Sequence, residues 1–72
     1  MYLVVNCQKL DGATAQNVFV YESLNQARSS YHQTLASNYV ALEAPDSAVS
    51  GFVTCIIDDR GMPILQESVN ME

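Results

Sequence analysis

Positive charge is scarce in this chain. Three basic residues, Lys9, Arg28 and Arg60, stand against eight acidic ones, for a net charge of −5 at neutral pH. That balance disfavours electrostatic binding to nucleic acid or to an anionic membrane surface. The carboxylates are scattered and never run longer than two, so the chain does not imitate a polynucleotide either. Tryptophan is absent and histidine occurs once, as His32. A lone histidine needs partners before it acts as a base or a ligand, and Cys7, Cys55 and His32 show neither C-x-x-C nor H-x-x-x-H spacing, which argues against a zinc site. Glycine-rich phosphate loops and the G-x-S-x-G nucleophile turn are missing as well. No run is long and apolar enough to cross a bilayer, and no basic segment leads into an apolar one at the start of the chain. These absences set the expectation of a cytoplasmic protein without metal or cofactor, in which Cys7 and Cys55 stay reduced within strands.

What the sequence does hold is apolar. Half of its 72 residues are hydrophobic, which is normal for a folded chain and wrong for a disordered one. The length suits a single domain spanning residues 1–72. A domain this small buries only about 60–65% of its extended-chain surface, and such domains often rely on a disulfide, a metal or a partner chain.

One segment, Ser23 to Leu42, reads as a helix. Ser23 is a suitable N-cap, Gln26 completes an S-x-x-Q capping box, and Glu22 suits the positive end of the dipole. Leu24, Ala27, Tyr31, Leu35, Asn38 and Leu42 recur at spacings of three and four and form a packing side. Asn25, Arg28, Ser29, Gln33 and Ser37 form the wet side. The first half, Leu24 to Ala36, is the stronger; Asn38-Tyr39-Val40 has weaker propensity, and Pro45 pushes Ala44 out of helical geometry.

Strands flank the helix. Tyr2 to Lys9 is β-branched and apolar, and Asp11-Gly12 is the signature of a two-residue hairpin with positive φ at both corners. That turn sets the register: Leu10 opposite Ala13, Val5 opposite Val18, Val4 opposite Phe19, Leu3 opposite Val20, Tyr2 opposite Tyr21. Opposed residues share a face. One face is then Leu3, Val5, Cys7, Val18 and Val20. The other is Tyr2, Val4, Phe19 and Tyr21, turning polar at Asn6, Gln8 and Asn17. A single helix covers one face of a sheet, so the second apolar face calls for a second copy of the chain, or else for the segment Val40 to Ser50 to fold over it.

After the helix, Glu43-Ala44-Pro45-Asp46-Ser47 reads as a turn and Gly51 to Asp58 as the most apolar, central strand. Asp58-Asp59-Arg60-Gly61 is a second turn, with Gly61 in the left-handed position of a three-residue loop. Met62 to Val69 returns, and Pro63 places it at an edge. The fold class is α+β, ββαββ: a four-stranded antiparallel sheet in the order 4-3-1-2 with the helix packed on one face. The alternative is a grasp-like order, 2-1-4-3.

For chemistry the pattern offers little. Asp58-Asp59 is better explained as turn chemistry than as a carboxylate pair. Tyr21, Tyr31 and Tyr39 with Arg28 are the residue types that stack on a base or ring, and equally those of protein interfaces. The candidate binding residues are therefore Tyr2, Val4, Phe19 and Tyr21 on the sheet and Arg28, Tyr31, His32 and Tyr39 on the helix. His32 is assigned a structural or interface hydrogen bond. A small enzyme using Cys55 or His32 ranks last, because no orienting third residue accompanies them.

The run Ala27-x-x-x-Tyr31-His32-Gln33-x-Leu35-Ala36, followed by Asp58-Asp59-x-Gly61-x-Pro63, resembles a group of small proteins from bacteriophages and prophages of gut Firmicutes and related metagenomes. About ten positions carry the resemblance across most of the chain. The sequence departs from the group in a longer segment between helix and third strand and in Arg60 before the turn glycine. The resemblance implies a phage or mobile-element origin, location in the bacterial host cytoplasm or with the virion, and no assigned reaction. It leads to the expectation of a non-catalytic, homo-dimeric or larger interaction protein that serves counter-defence, either by inhibiting a host effector protein or as a sponge for a signalling nucleotide. The alternative is a structural accessory of the phage particle or tail.

Overall fold

A computed structural model of the chain describes residues 1–71. The elements run β1 (Tyr2–Leu10), β2 (Ala13–Tyr21), α1 (Leu24–Glu43), β3 (Gly51–Ile57) and β4 (Pro63–Val69). All pairings are antiparallel, and the strands lie side by side as β2-β1-β3-β4, which counted from the other edge is 4-3-1-2. The grasp-like alternative is thereby set aside. Pairing β1 with β3 puts the two most apolar strands in the middle, where both of their edges are bonded.

The first hairpin has the register expected from the alternation, from Leu10↔Ala13 through to Tyr2↔Tyr21. Its turn differs in detail. Gly12 has φ +73, but Asp11 does not share a positive φ, so the glycine alone supplies the left-handed corner. The second turn is the three-residue loop anticipated from Gly61, whose φ is +80. Asp58 organises it: its carboxylate accepts from the Arg60 and Met62 amides at 2.9 Å each, while its own amide donates to the Met62 carbonyl. The bond from Met62, then that from Arg60, holds the Asp58 carboxyl below its ordinary pKa.

The helix begins where the cap predicts. Ser23 is extended, and its hydroxyl accepts from the Gln26 amide at 3.2 Å. Only this half of the capping box forms among the described residues. At the other end α1 continues past the weak Asn38-Tyr39-Val40 stretch to Glu43, with the Ala44 amide closing on Val40 and Ala41 before Pro45. Tertiary contact outweighs propensity there, because Asn38 is buried and Tyr39 packs edge-on against Phe52 at 5.2 Å between ring centroids.

The core is the layer between α1 and one sheet face: Val4, Phe52 and Ile56 from the sheet, Ala27, Tyr31 and Leu35 from the helix. Burying each large apolar side chain contributes roughly 1.5–3 kcal/mol. Tyr2, Tyr21, Leu42, Leu65 and Val69 close its margins. A polar row crosses this otherwise apolar face, Asn17–Asn6–Thr54–Glu67 in the strand register. Asn38 answers it from above. Its amide nitrogen donates to Asn6 Oδ1 at 2.9 Å and to Thr54 Oγ1 at 3.0 Å, and its oxygen accepts from Gln8 Nε2 at 2.9 Å. Thr54 donates in turn to Asn6 Oδ1 at 2.9 Å, so no buried side-chain polar atom among the described residues lacks a partner.

The two sheet edges differ. β4 begins at Pro63, carries Glu67, and is interrupted by a register shift opposite Ile56 and Ile57. β2 has no charged residue, no proline and no irregularity in its pairing with β1.

Candidate functional site

With the helix settled over Val4, Phe52 and Ile56, the opposite sheet face is left uncovered. Register alone places its residues. One row is Val20–Leu3–Ile57, the next Val18–Val5–Cys55–Gln66, the third Gln16–Cys7–Val53–Ser68. Leu3, Val5, Cys7, Val53, Cys55 and Ile57 are half-buried by their neighbours, whereas Val18 is 50% exposed and Val20 58%. Lys9 is the one charged side chain in these rows and their continuation, at the corner opposite Gly51. The segment Ala44 to Ser50 connects α1 to β3 and leaves Val18 and Val20 open, so folding of this connection over the second face does not occur.

Both cysteines lie here. Cys7 is opposite Val53 and Cys55 opposite Val5, which makes them diagonal neighbours on adjacent strands, and both are free thiols. Burial, and after it the nearby Cys7, pushes the Cys55 thiol above its ordinary pKa. The Cys55 thiol thus stays a neutral, weakly polar group that suits an apolar surface.

The sequence placed the binding surface on the other face, and the structure corrects that for several residues. Val4 is fully buried and Tyr31 nearly so, because both lie in the helix–sheet layer; neither is available to a partner. Tyr2 and Tyr21 pack at the margin of the core, with Tyr21 Oη donating to Ser30 Oγ at 2.9 Å. Phe19 is the member of that set which stays open, at 46% exposure, although α1 reaches β2 at Tyr21. The choice between two apolar faces was decided by Phe52 and Ile56, distant in sequence from the first hairpin.

On the helix, Arg28 and His32 are exposed, and the His32 ring stands edge-on to Tyr31 at 5.3 Å. Tyr39 donates to Glu67, and that bond chiefly raises its pKa; burial does the same for Tyr31. Tyr21, Tyr31, Tyr39 and Arg28 therefore do not converge on one ring-binding pocket: Tyr31 is core, and Tyr39 leans toward β4. Nor do His32 and the cysteines meet, because the sheet lies between the outer side of α1 and the face that carries Cys7 and Cys55. Among the described residues no three His, Cys, Asp or Glu side chains are grouped as a metal site. An open groove beside the helix is lined by Tyr21, Gln26, Ser29, Ser30 and Gln33, all neutral hydrogen-bonding side chains.

No helix among the described residues is long and apolar enough to cross a membrane. Compared with known proteins, the chain matches no family model, no curated protein and no solved structure.

Proposed function

We propose that the chain is a non-catalytic interaction protein that works as a homo-oligomer, with a second copy laying its open sheet face against the first. The observation that carries this reading is the apolar face itself, three cross-strand rows of mainly Val, Leu, Ile and Cys side chains with charge only at the Lys9 corner. On a chain of net charge −5, a face without carboxylates is the surface on which two copies meet without like-charge repulsion. Size supports the same conclusion. Four strands about 4.8 Å apart and roughly 25 Å long present a face of about 500 Å², so two such faces bury about 1,000 Å² in all, which reaches the lower bound of a specific interface. Two twisted sheets packed in this way form a sandwich core about 10 Å thick.

The resemblance to small phage and prophage proteins extends the proposal to counter-defence within a bacterial host, by occupying an effector protein. A nucleotide sponge fits the chain less well, because the groove beside α1 offers hydroxyl and amide groups but no cation for a phosphate. Native mass spectrometry of untagged protein tests the assembly. A discrete even-numbered oligomer is expected, and Val53→Lys, which sets an ammonium group in the middle of the open face, is expected to halve it while far-UV circular dichroism stays unchanged. A monomeric wild-type protein at micromolar concentration sinks the proposal, and so does an oligomer indifferent to Val53→Lys. Retained mass of a few hundred daltons per chain would reinstate the sponge.

A further inference from the structure

The edge strand β2 presents a second surface, independent of the open face. Natural sheets protect edge strands with charge, proline, bulges or a covering element, and β4 uses the first three. β2 uses none of them over nine residues, and its helix-side Phe19 stays 46% exposed. Its backbone is equally available. The two-residue loop makes Leu10 and Ala13 a mutually bonded pair, and the Lys9 carbonyl, which accepts from Ser50 at 2.8 Å, points the other way, toward β3. By alternation, the odd residues of β2 bond to β1 while the amides and carbonyls of Thr14, Gln16, Val18 and Val20 face outward.

We infer that two copies of the chain pair β2 to β2 in antiparallel fashion about a two-fold axis at Asn17, extending the sheet from four strands to eight. The occupant is argued from the strand's own sequence. Centred on Asn17, all nine residues overlap, and the four outward-facing residues of each copy form about eight backbone hydrogen bonds. On the helix side, small residues then meet large ones: Ala15 opposite Phe19 of the second copy, Ala13 opposite Tyr21. That size matching covers Phe19 and needs no partner of another kind. The neutral strand also brings no carboxylates together between two acidic chains. Because paired residues share a face, both helices lie on one side and the two open faces merge on the other. The two kinds of contact use different groups, side chains on the open face and backbone amides and carbonyls along the β2 edge, and together they generate a tetramer of two eight-stranded sheets.

The test is cross-linking combined with mass. Asn17 meets its own copy at a site without direct backbone bonds, where Cα atoms approach to about 4.5 Å, so Asn17→Cys is expected to give a disulfide-linked dimer under mild oxidation. Cys7 and Cys55 are replaced by Ser in this background, because both free thiols lie on the open face that the proposed packing sets against a second copy. Phe19→Cys and Thr14→Cys are the controls. A cross-link at Phe19→Cys or Thr14→Cys but not at Asn17→Cys overturns the pairing, and so does the absence of any cross-link. Gln16→Pro removes an outward-facing amide that the isolated fold does not use, and should halve the native mass. Asn17→Lys, which sets two ammonium groups opposite each other, should do the same and serves if the proline variant does not fold. The two contacts separate cleanly: Val53→Lys leaves the Asn17→Cys cross-link intact if only face packing is lost, whereas Gln16→Pro leaves a face-packed dimer. Wild-type mass unchanged by both Gln16→Pro and Asn17→Lys overturns the edge pairing alone.

Discussion

Asn38→Ala is the perturbation that best tests how the helix is held on the sheet. Asn38 is 1% exposed and takes part in three side-chain hydrogen bonds, to Gln8, Asn6 and Thr54. Losing three neutral bonds costs about 3 kcal/mol, at roughly 1 kcal/mol each, because no buried donor is stranded: Thr54 still donates to Asn6, and half-buried Gln8 turns to water. A chain of this length has about 4–10 kcal/mol of total stability, so the loss is a third or more of it. It corresponds to a fall in Tm of about 12–24 °C. Urea unfolding followed by circular dichroism, at several protein concentrations to remove the contribution of assembly, reads the change directly. A cycle with Thr54→Val should show coupling of about 1 kcal/mol. Replacing the set together, with Asn6→Leu, Asn38→Leu and Thr54→Val, should recover most of the loss, since no unpaired group remains. A cost under about 1 kcal/mol for Asn38→Ala, or no coupling to Thr54, would refute the network as the element that fixes the helix.

Two further outcomes follow from the loops and strand ends. Gly51→Ala should destabilise the fold by about 1–3 kcal/mol, because a Cβ there would lie 2.6 Å from the Asn70 carbonyl oxygen and 2.7 Å from that of Val69, forcing β4 away from β3; amide hydrogen exchange in β4 should rise, and wild-type protection would count against it. The depressed pKa of Asp58 means that its contribution is fully present above its unfolded value and is lost as pH falls through the lower folded one. Acid should therefore loosen the β3–β4 turn first, seen in NMR shifts of the Arg60 and Met62 amides, and Asp58→Asn should flatten that titration.

Much of the fold is local and was legible. Asp11-Gly12 and the alternation around it specify the hairpin register, Ser23 with the spacing from Leu24 to Leu42 specifies the helix and its inner side, and Pro63 marks an edge. What failed was non-local. Asn38 reads as a weak helix residue until Asn6 and Thr54, 32 and 16 residues away, are seen to bond it. Likewise the first hairpin offers two apolar faces, and only its pairing with β3 shows that the Val4 face receives the helix. The aromatic residues on that face read as interface in the sequence; in the fold Tyr2 and Tyr21 line the margin of the core, and the open face is aliphatic. Phe19 reads as a binding residue in the sequence, but as part of a face rather than an edge. An unprotected strand can be read from ATAQNVFVY only once β2 is known to be outermost.

The unlike edges also set a valence. A chain with two receptive edges can add neighbours without limit and grow into a ribbon. Here Pro63, Glu67 and the register shift close the β4 side, leaving one receptive edge. Once that edge meets its copy about a two-fold axis, none remains, and growth along the sheet stops at a pair. On the proposed pairing, an acidic chain with an aliphatic face forms particles of one size even at high concentration. Replacing Pro63 and Glu67 with β-formers such as Val and Thr would remove the stop, and the sign of its loss would be continued growth rather than unfolding.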